Sequence, residues 1–274
     1  MVDTIDLFCG AGGFGLAAEQ CGFDTVGYDN NEDAVATYNR NCGKAHIHDL
    51  TEEIPHTYSD IQLVCGGFPC QPFSSANNHK SRLDERRTLG DKFIDHVERF
   101  DPDTVIIENV SALKRRHESY FNHIRSRLSE AGYMTTHAIL NAAEYGVAQT
   151  RKRLFIIGQK SSMPVLPSPT HEDSYLGTGD VLSLPSHEHK SGGRTSGSAW
   201  RDETEPSHTI TAQHNNVVRV DGNEWRWWET DETQQIQSFP KSYDFVGTQT
   251  SVGRQIGNAV PPQLAKAVID VNKV

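Results

Sequence analysis

Short apolar runs alternate with segments of helical periodicity along the first 158 residues. Strands are predicted at the apolar runs 3–9, 24–29, 46–50, 60–67, 104–110, 136–140 and 153–158. Apolar positions at helical spacing predict helices that begin at Leu16 and span 31–41, 88–100 and about 120–128. This alternation predicts an α/β fold built on a doubly wound, mostly parallel sheet.

The pattern changes after Gly158. Residues 159–208 are rich in Ser, Pro, Gly, Thr and His, and this composition is typical of loops. Apolar patterns return near 217, and PPQLAKAVIDV (261–271) predicts a helix that packs back onto the first part of the chain. We therefore predict a main domain of residues 1–158 plus 253–274 and a small, loop-rich domain of residues 159–252.

Composition and charge narrow the function classes. The chain has 274 residues and a net charge of −10, which argues mildly against a polyanionic partner, because phosphate contacts come from Lys and Arg. Its cations cluster at 80–87, 113–117, 125–127 and 150–153, a pattern that favours a local basic face on an acidic body. The apolar runs are shorter than the roughly 18 residues of a membrane helix. The N-terminus lacks a basic leader segment, so we expect a cytoplasmic protein without a membrane partner.

Five cysteines are present, an odd number without a C-x-x-C pair. This pattern argues against a disulfide framework and against a zinc site, so no metal is expected. Cys70 differs from the others because it lies in GGFPCQPFS (66–74), between Pro69 and Pro72, directly after a predicted strand. A thiol held stiffly at a strand end suits a positioned nucleophile, whereas a lone loop cysteine is more often inert.

A glycine-rich loop follows the first predicted strand. Gly10, Gly12 and Gly15 match G-x-G-x-x-G, and Asp29 ends the next predicted strand. Such a loop lets backbone N–H groups approach a ligand, and an acid at the following strand end can accept ribose hydroxyls. The pattern indicates an adenosine-containing cofactor, either a nicotinamide nucleotide or S-adenosylmethionine. A tight turn with a surface aspartate is the alternative.

Several candidate groups follow the carboxyl ends of predicted strands. In an open α/β sheet these ends meet at one crevice, where ligands bind. Asp29, Asp49, Cys70 and Glu108 all follow such ends, so we expect cofactor, thiol and carboxylate to share one site.

Seven segments then give the sequence a family resemblance. In chain order they are DLFCGAGGFG, GYDNNEDAVATYNRN, HDL, GGFPCQPFS, IIENV, YGVAQTRKRLFIIG and GRQIGNAVPPQLAKA. Together they resemble the motif set of DNA (cytosine-5) methyltransferases, over residues 3–158 and about 203–271. The resemblance implies the S-adenosylmethionine-dependent methyltransferase fold, with residues 159–252 as a target-recognition domain. It also implies transfer of a methyl group to carbon 5 of a flipped-out cytosine through a covalent Cys70 adduct.

The resemblance also implies residue roles. The catalytic set would be Cys70 as nucleophile, Glu108 as acid, and Arg151 and Arg153 holding the base. Residues implied in S-adenosylmethionine binding are Phe8, Gly10, Gly12, Gly13, Asp29, Asn30, Asp49, Leu50, Phe68, Pro69, Asn258 and Ala259. Asp29 stands where the family usually has a glutamate, which is a conservative departure. Residues implied in DNA binding are Ser74, Lys80, Arg82, Arg86, Arg87, Gln149, Gln213, His214 and Asn215.

These implications define the expected partners. Double-stranded DNA is the expected substrate of a monomeric enzyme, with a cognate restriction endonuclease as a candidate partner. The loop of residues 74–87 is expected to close on DNA. The side chains of 213–216 either read bases or brace neighbouring loops, and Trp225, Trp227 and Trp228 are expected in core or hinge packing. RNA cytosine methylation, nicotinamide-dependent oxidoreduction and catalytically silent DNA binding are the alternatives.

Overall fold

In a computed structural model, the described residues are 2–69, 81–192, 198–213 and 216–273, and for residues 81–88 only the backbone is described. The strands are β1 Thr4–Leu7, β2 Thr25–Asp29, β3 Lys44–Ile47, β4 Leu63–Gly66, β5 Thr104–Val110, β6 Met134–Asn141, β7 Gln149–Thr150, β8 Lys152–Gln159, β9 His187–Ser191, β10 Arg201–Asp202, β11 Ser207–His208, β12 Asn216–Val220 and β13 Arg226–Trp227. The helices are α1 Gly13–Gln20, α2 Glu32–Asn41, α3 Ser81–Phe100, α4 Ala112–Arg116, α5 Glu118–Glu130, α6 Thr178–Val181, α7 Thr230–Ile236, α8 Gln249–Asn258 and α9 Pro262–Asp270, with a 3-10 helix at Ala142–Tyr145.

A seven-stranded sheet organises the first part of the chain, in the order β3-β2-β1-β4-β5-β8-β6. The strands from β3 to β5 pair in parallel, and β8 runs antiparallel to both β5 and β6. The predicted doubly wound, mostly parallel sheet is therefore confirmed. Because the chain moves outward in both directions from β1 and β4, their carboxyl ends flank the point where a crevice opens.

Helices cover both faces of this sheet because its strands are apolar on both sides. On one face, Phe93 and Val97 of α3 pack with Ile124 and Leu128 of α5, against alternate strand residues such as Ile107. On the other face, α1 packs with α9, and Leu264 and Val268 lie in the same buried cluster as Ile106. The final helix thus returns to the first part of the chain, as the sequence predicts.

A second, four-stranded antiparallel sheet forms in the later part, in the order β10-β9-β12-β13. Val218 and Trp228 pack there with Ile236 of α7, and Trp227 is 46 % exposed. Trp228 therefore packs in the core, as the sequence predicts, whereas Trp227 lies at the surface. Val252 and Ile256 of α8 belong to the same cluster. The predicted domain boundary at residue 252 thus lies inside helix α8.

Two boundaries differ from the sequence predictions. Helix α3 begins at Ser81, so the prediction of an irregular loop through residue 87 was wrong for its last turns. The segment 81–87 contains no Gly or Pro and includes good helix formers such as Arg, Leu and Glu, so helix can extend backwards from 88. The third strand ends at Ile47, so Asp49 and Leu50 follow the strand on its connecting loop. Within the described residues, none of the helices combines the length and apolarity needed to cross a bilayer.

Candidate active site

A cavity of about 770 Å³ opens at the carboxyl end of the large sheet. It is bordered by the loops after β1, β2, β3 and β4, by the end of β5, by the start of β8 and by α8. The topology therefore brings together groups that are up to about 250 residues apart in the chain. The predicted site residues that line it are Phe8, Gly10, Gly13, Asp29, Asn30, Asp49, Leu50, Phe68, Pro69, Glu108, Arg151, Arg153, Asn258 and Ala259.

The glycine loop reaches the cavity through an unusual backbone. Phe8, directly after β1, has φ 55°, a left-handed conformation that a residue with a side chain seldom adopts. Gly10 has φ 52°, and a Cβ placed on it would meet no atom within 4 Å, so it borders open space. Gly12 also has a positive φ, of 91°, but a Cβ there would lie 2.7 Å from Tyr243 Oη. Gly12 therefore serves close packing, and it is not among the cavity-lining residues.

Asp29 fastens the glycine loop to the end of β2. Its Oδ2 accepts the Gly10 N–H at 2.9 Å and its Oδ1 accepts the Asn31 N–H at 2.9 Å. Burial raises the pKa of Asp29, and these backbone donors oppose the rise. A carboxylate has about four acceptor positions, so Asp29 retains capacity for ligand hydroxyls.

Asp49 has a different environment. It is exposed, and its Oδ1 accepts the backbone N–H of Thr51 at 2.9 Å and the Thr51 hydroxyl at 2.8 Å. These bonds lower the pKa of Asp49. Asp49 is thus a fixed, ionised acceptor at the cavity wall, while Leu50 beside it is buried in the core.

Glu108 and Arg153 form an ion pair within the cavity. Arg153 Nε lies 3.0 Å from Glu108 Oε1, and the two side chains are 16 % and 13 % exposed. Burial raises the pKa of Glu108, while the charges of Arg153 and Arg151 oppose the rise. A Cβ on Gly67 would lie 2.9 Å from Glu108 Oε2, so glycine leaves room for the carboxylate beside β4. The Glu108 carboxyl group can therefore hold and release a proton in a largely buried position.

Arg151 makes contacts other than the predicted ones. It is 1 % exposed, and its guanidinium donates to the carbonyl oxygens of Ile210 at 2.8 Å, Gly257 at 3.0 Å and Ala259 at 3.0 Å. Its hydrogen bonds tie the segment near β11 to the end of α8. The prediction of a base-holding group therefore fits the half-buried Arg153 better than Arg151, whose described N–H bonds end on backbone.

Gln149 does not reach a surface where DNA could bind. Its side chain is fully buried, its Oε1 accepts the Ile210 N–H at 2.9 Å, and its Nε2 bonds Gln237. Gln237 in turn donates to the Ile256 and Ala259 carbonyls. The prediction of DNA contact at Gln149 is corrected to a buried brace, because both of its polar atoms already have partners.

The recognition candidates are divided between surface, interior and undescribed positions. Gln213 is exposed, as a base-reading group must be. Asn216 is 5 % exposed and donates to the His208 and Thr209 carbonyls, which is the bracing alternative. The side chains of the remaining predicted residues lie outside the described part of the structure; they are Cys70, Ser74, Lys80, Arg82, Arg86, Arg87, His214 and Asn215.

Asn109 is a positioning residue that the sequence analysis did not assign. It is 3 % exposed, and its Nδ2 donates to the Phe68 carbonyl at 3.1 Å. This bond joins the end of β5, which carries Glu108, to the loop that leads through Pro69 to Cys70. Its place next to Glu108 in IIENV was the available sequence signal.

Asp6 is a second group that the sequence analysis missed. It lies within β1, is 1 % exposed, lines the cavity, and neither carboxyl oxygen has a hydrogen-bond partner. Burial raises its pKa well above the ordinary value, the nearby Gly15 N–H opposes this, and Asp29 adds to it. A carboxylate inside the apolar strand TIDL was the sequence signal, because a buried acid without a partner is costly to keep.

The cavity fits a cofactor that carries positive charge, a ribose and an adenine. Its wall includes the unpartnered carboxyl of Asp6, the spare acceptor capacity of Asp29 and Asp49, and the open backbone face at Gly10. Its volume lies within the roughly 300–1,000 Å³ of small-molecule sites. In the described part of the chain, His, Cys, Asp and Glu form no cluster suited to a metal ion.

Comparisons with known proteins identify the family of this chain. The model of the C-5 cytosine-specific DNA methylase family matches residues 2–218 and 185–273. Type II methyltransferase M.AplI from Arthrospira platensis is 32 % identical over 292 residues, with 97 % of this chain and 84 % of the relative covered. Type II methyltransferase M.HindV from Haemophilus influenzae is also 32 % identical, with 96 % and 94 % covered.

Solved structures share the fold at lower identity. The S. pombe Dnmt2 methyltransferase superposes with a TM-score of 0.75 at 17 % identity, and 98 % of each chain is covered. The Entamoeba histolytica methyltransferase EhMeth gives a TM-score of 0.73 at 16 % identity, over 98 % of this chain and 97 % of the other. At these identities the likeness concerns the fold alone.

Proposed function

This chain belongs to the C-5 cytosine-specific DNA methylase family and methylates carbon 5 of cytosine in DNA, and we propose that it does so through a covalent bond between Cys70 and the base. The proposal also takes S-adenosylmethionine as methyl donor and double-stranded DNA as substrate. The observation that carries it is the Glu108–Arg153 pair, which opens into the cavity beside the Phe68–Pro69 loop.

The chemistry explains why a thiol is needed. Carbon 5 of cytosine is a poor nucleophile, so the ring must be activated before it can accept a methyl group. The Cys70 thiolate donates an electron pair to carbon 6, and the electrons of the 5,6 double bond move so that carbon 5 becomes the nucleophilic end of an enamine. Methyl transfer to carbon 5 would leave S-adenosylhomocysteine, and a base would then take the proton on carbon 5, so that the 5,6 double bond forms again and the thiolate leaves carbon 6.

Glu108 would act at ring nitrogen N3, which gains electron density when the thiolate adds to carbon 6. In its protonated form it donates a proton to ring nitrogen N3, so negative charge does not accumulate on the pyrimidine. Burial favours that protonated form by raising the pKa of Glu108. Arg153, whose Nε lies 3.0 Å from Glu108 Oε1, would interact with the carbonyl oxygen O2. General-acid help of this kind is typically worth about 10²- to 10⁴-fold in rate.

The cofactor would be held by the glycine loop and by the acids at the neighbouring strand ends. S-adenosylmethionine supplies an electrophilic methyl group carried on a sulfonium. Asp29 would accept the ribose hydroxyls, Asp49 the adenine amino group, and Asn258 would connect α8 with the cofactor cavity. Asp6 would lie at the cavity floor, where a positive charge on the cofactor would favour the ionised form of a carboxyl group that burial otherwise keeps protonated.

The target base must leave the duplex to reach this cavity, at a free-energy cost of a few kcal/mol. We assign sequence choice to residues 159–252, where exposed Gln213 is a candidate base reader. Ser74, Lys80, Arg82, Arg86, Arg87, His214 and Asn215 would complete the DNA interface. The enzyme would act as a monomer. Because several relatives are named Type II methyltransferases, we also propose a cognate restriction endonuclease that recognises the same sequence.

Bisulfite sequencing of DNA from cells that express the chain tests the proposal. We expect protected cytosines at one short sequence with the wild type and none with Cys70→Ala. Protected cytosines in cells that express the Cys70→Ala variant would contradict the assignment of Cys70 as the nucleophile. A duplex that carries 5-fluorocytosine at that site should form an adduct whose mapped peptide contains Cys70. A parallel assay with tRNA separates RNA methylation, since transfer to tRNA without transfer to duplex DNA would overturn the DNA substrate.

A further inference from the structure

The segment that follows the catalytic strand carries a dense group of cations. Helix α4, Ala112–Arg116, begins directly after β5 and contains Lys114, Arg115 and Arg116 in succession. Leu113 is fully buried in the main core, so the helix has a fixed position and its cations project from an anchored turn. Arg115 and Arg116 are exposed.

A fourth cation joins them across the sheet. In the antiparallel pair of β5 and β8, Val110 is opposite Arg153. Lys152 therefore lies beside the residues that connect β5 to α4, and it is exposed. We name Lys114, Arg115, Arg116 and Lys152 the basic rim. Val110, which precedes α4, and Arg153, which is next to Lys152, both line the cavity, so the basic rim lies near the active site, although its own residues do not line the cavity.

The charges of the basic rim lack carboxylate partners among the described residues. Elsewhere on this acidic chain, several surface cations are paired at 3.3 Å or less; the pairs are Arg40–Asp244, Arg99–Glu53, Arg127–Glu98, Lys160–Asp101 and Arg226–Glu232. The next acid along the chain, Glu118, forms no described ion pair with the rim. Isolated surface cations without a described carboxylate partner also occur elsewhere on the chain, but the basic rim brings four of them together on a chain whose net charge is −10.

We propose that the basic rim binds the phosphate backbone of duplex DNA beside the flipped cytosine. The proposal rests on the proposed function and adds a second anchoring surface, separate from residues 159–252. Phosphate contacts from Lys and Arg release condensed counterions and fix the orientation of the protein on DNA without reading sequence. A duplex anchored beside the cavity would keep the extruded base near Glu108 and Arg153.

Salt dependence of DNA binding tests this assignment. Arg115→Gln/Arg116→Gln removes two rim charges and leaves the cavity residues intact. Lys44→Gln/Lys266→Gln is the matched control, because Lys44 begins β3 at the amino-end edge of the sheet and Lys266 lies on α9. The probes are a duplex that the wild type methylates and an unrelated duplex, titrated at several salt concentrations with S-adenosylhomocysteine present.

We expect the rim variant to lower the slope of log Kd against log salt by about 1 to 2, equally for both duplexes, with unchanged cofactor affinity. The control should keep the wild-type slope. A wild-type slope in the rim variant would overturn the proposal, as would an equal decrease in the control. If the rim variant unfolds, Lys114→Gln/Lys152→Gln tests the same surface from β8 and the start of α4. Failure of the wild type itself to methylate any duplex would contradict the proposed function instead.

Discussion

Arg153 Nε lies 3.0 Å from Glu108 Oε1, across the antiparallel pair of β8 and β5. The contact joins a cation to a carboxyl group whose pKa is raised by burial despite that cation. Without Arg153 the carboxyl would hold its proton more firmly, and with full exposure it would lose the proton too readily. Burial and the Arg153 charge therefore act in opposite directions on the pKa of Glu108, so that its carboxyl group can donate a proton and recover it.

Glu108→Gln should decrease single-turnover methyl transfer by about 10²- to 10⁴-fold, because glutamine cannot deliver a proton to N3. Affinity for S-adenosylmethionine should stay near the wild-type value. Rapid-quench assays with an unmethylated duplex that contains the target site measure the rate, and calorimetric titration measures the binding. A rate within a factor of about three of wild type would contradict the acid role.

The pH dependence of the single-turnover rate should report the titration of Glu108. Since Glu108 acts when protonated and its pKa is raised, the wild-type rate should fall as pH increases through that raised pKa. The decrease should be absent from the residual rate of Glu108→Gln. Single-turnover rates between pH 5.5 and 9 supply the comparison. A matching decrease in the variant would assign the titration to another group.

Arg151→Met should mainly lower stability, whereas Arg153→Met should mainly decrease methyl transfer. Arg151→Met leaves three backbone carbonyls without their donor and should lower the free energy of unfolding by at least about 3 kcal/mol. Arg153→Met should change stability less and decrease methyl transfer more. Urea unfolding and single-turnover rates, measured on both variants, decide this. Equal destabilisation by the two substitutions would contradict the division into a structural Arg151 and a catalytic Arg153.

Asn109→Ala should act through the catalytic loop. Loss of the Asn109–Phe68 hydrogen bond frees the loop that positions Cys70, so the adduct with 5-fluorocytosine should form more slowly, by about 10-fold or more. Asn109→Asp, which cannot donate from Nδ2, should resemble it. Cofactor binding is the internal control and should change little. Adduct formation at the wild-type rate in both variants would indicate that Asn109 has no positioning role.

Asp6→Asn should alter the pH dependence of stability. The folded pKa of Asp6 is raised, so its favourable contribution is complete below the unfolded value of about 3.9 and is lost as pH rises through the folded pKa. Removing the ionisable group should therefore make the variant more stable than wild type at pH 8, by about 1–3 kcal/mol without cofactor. Urea unfolding at pH 5 and pH 8 measures the difference, which should be smaller at pH 5. A constant difference would show that Asp6 does not titrate on folding.

Much of this protein was determined by local sequence. Apolar runs interrupted by glycine fix where the strands of the large sheet end, and parallel strands necessarily bring their carboxyl ends to one edge. Asp29, Asp49 and Glu108, which line one cavity, were therefore predictable as neighbours. The sequence motifs also indicated the methyl-transfer chemistry, through their resemblance to the motif set of DNA (cytosine-5) methyltransferases.

Tertiary structure decided which polar groups are free to act. Arg151 and Arg153 are two residues apart and have the same chemistry, so strand periodicity cannot separate them. Ile210, Gly257 and Ala259, which lie 59 to 108 positions away in the chain, bury Arg151 and leave Arg153 beside Glu108. Gln149 was buried in the same way by Gln237 and Ile210. The physical reason is that burial and hydrogen-bond partners come from distant segments, and no local pattern specifies which segments these are.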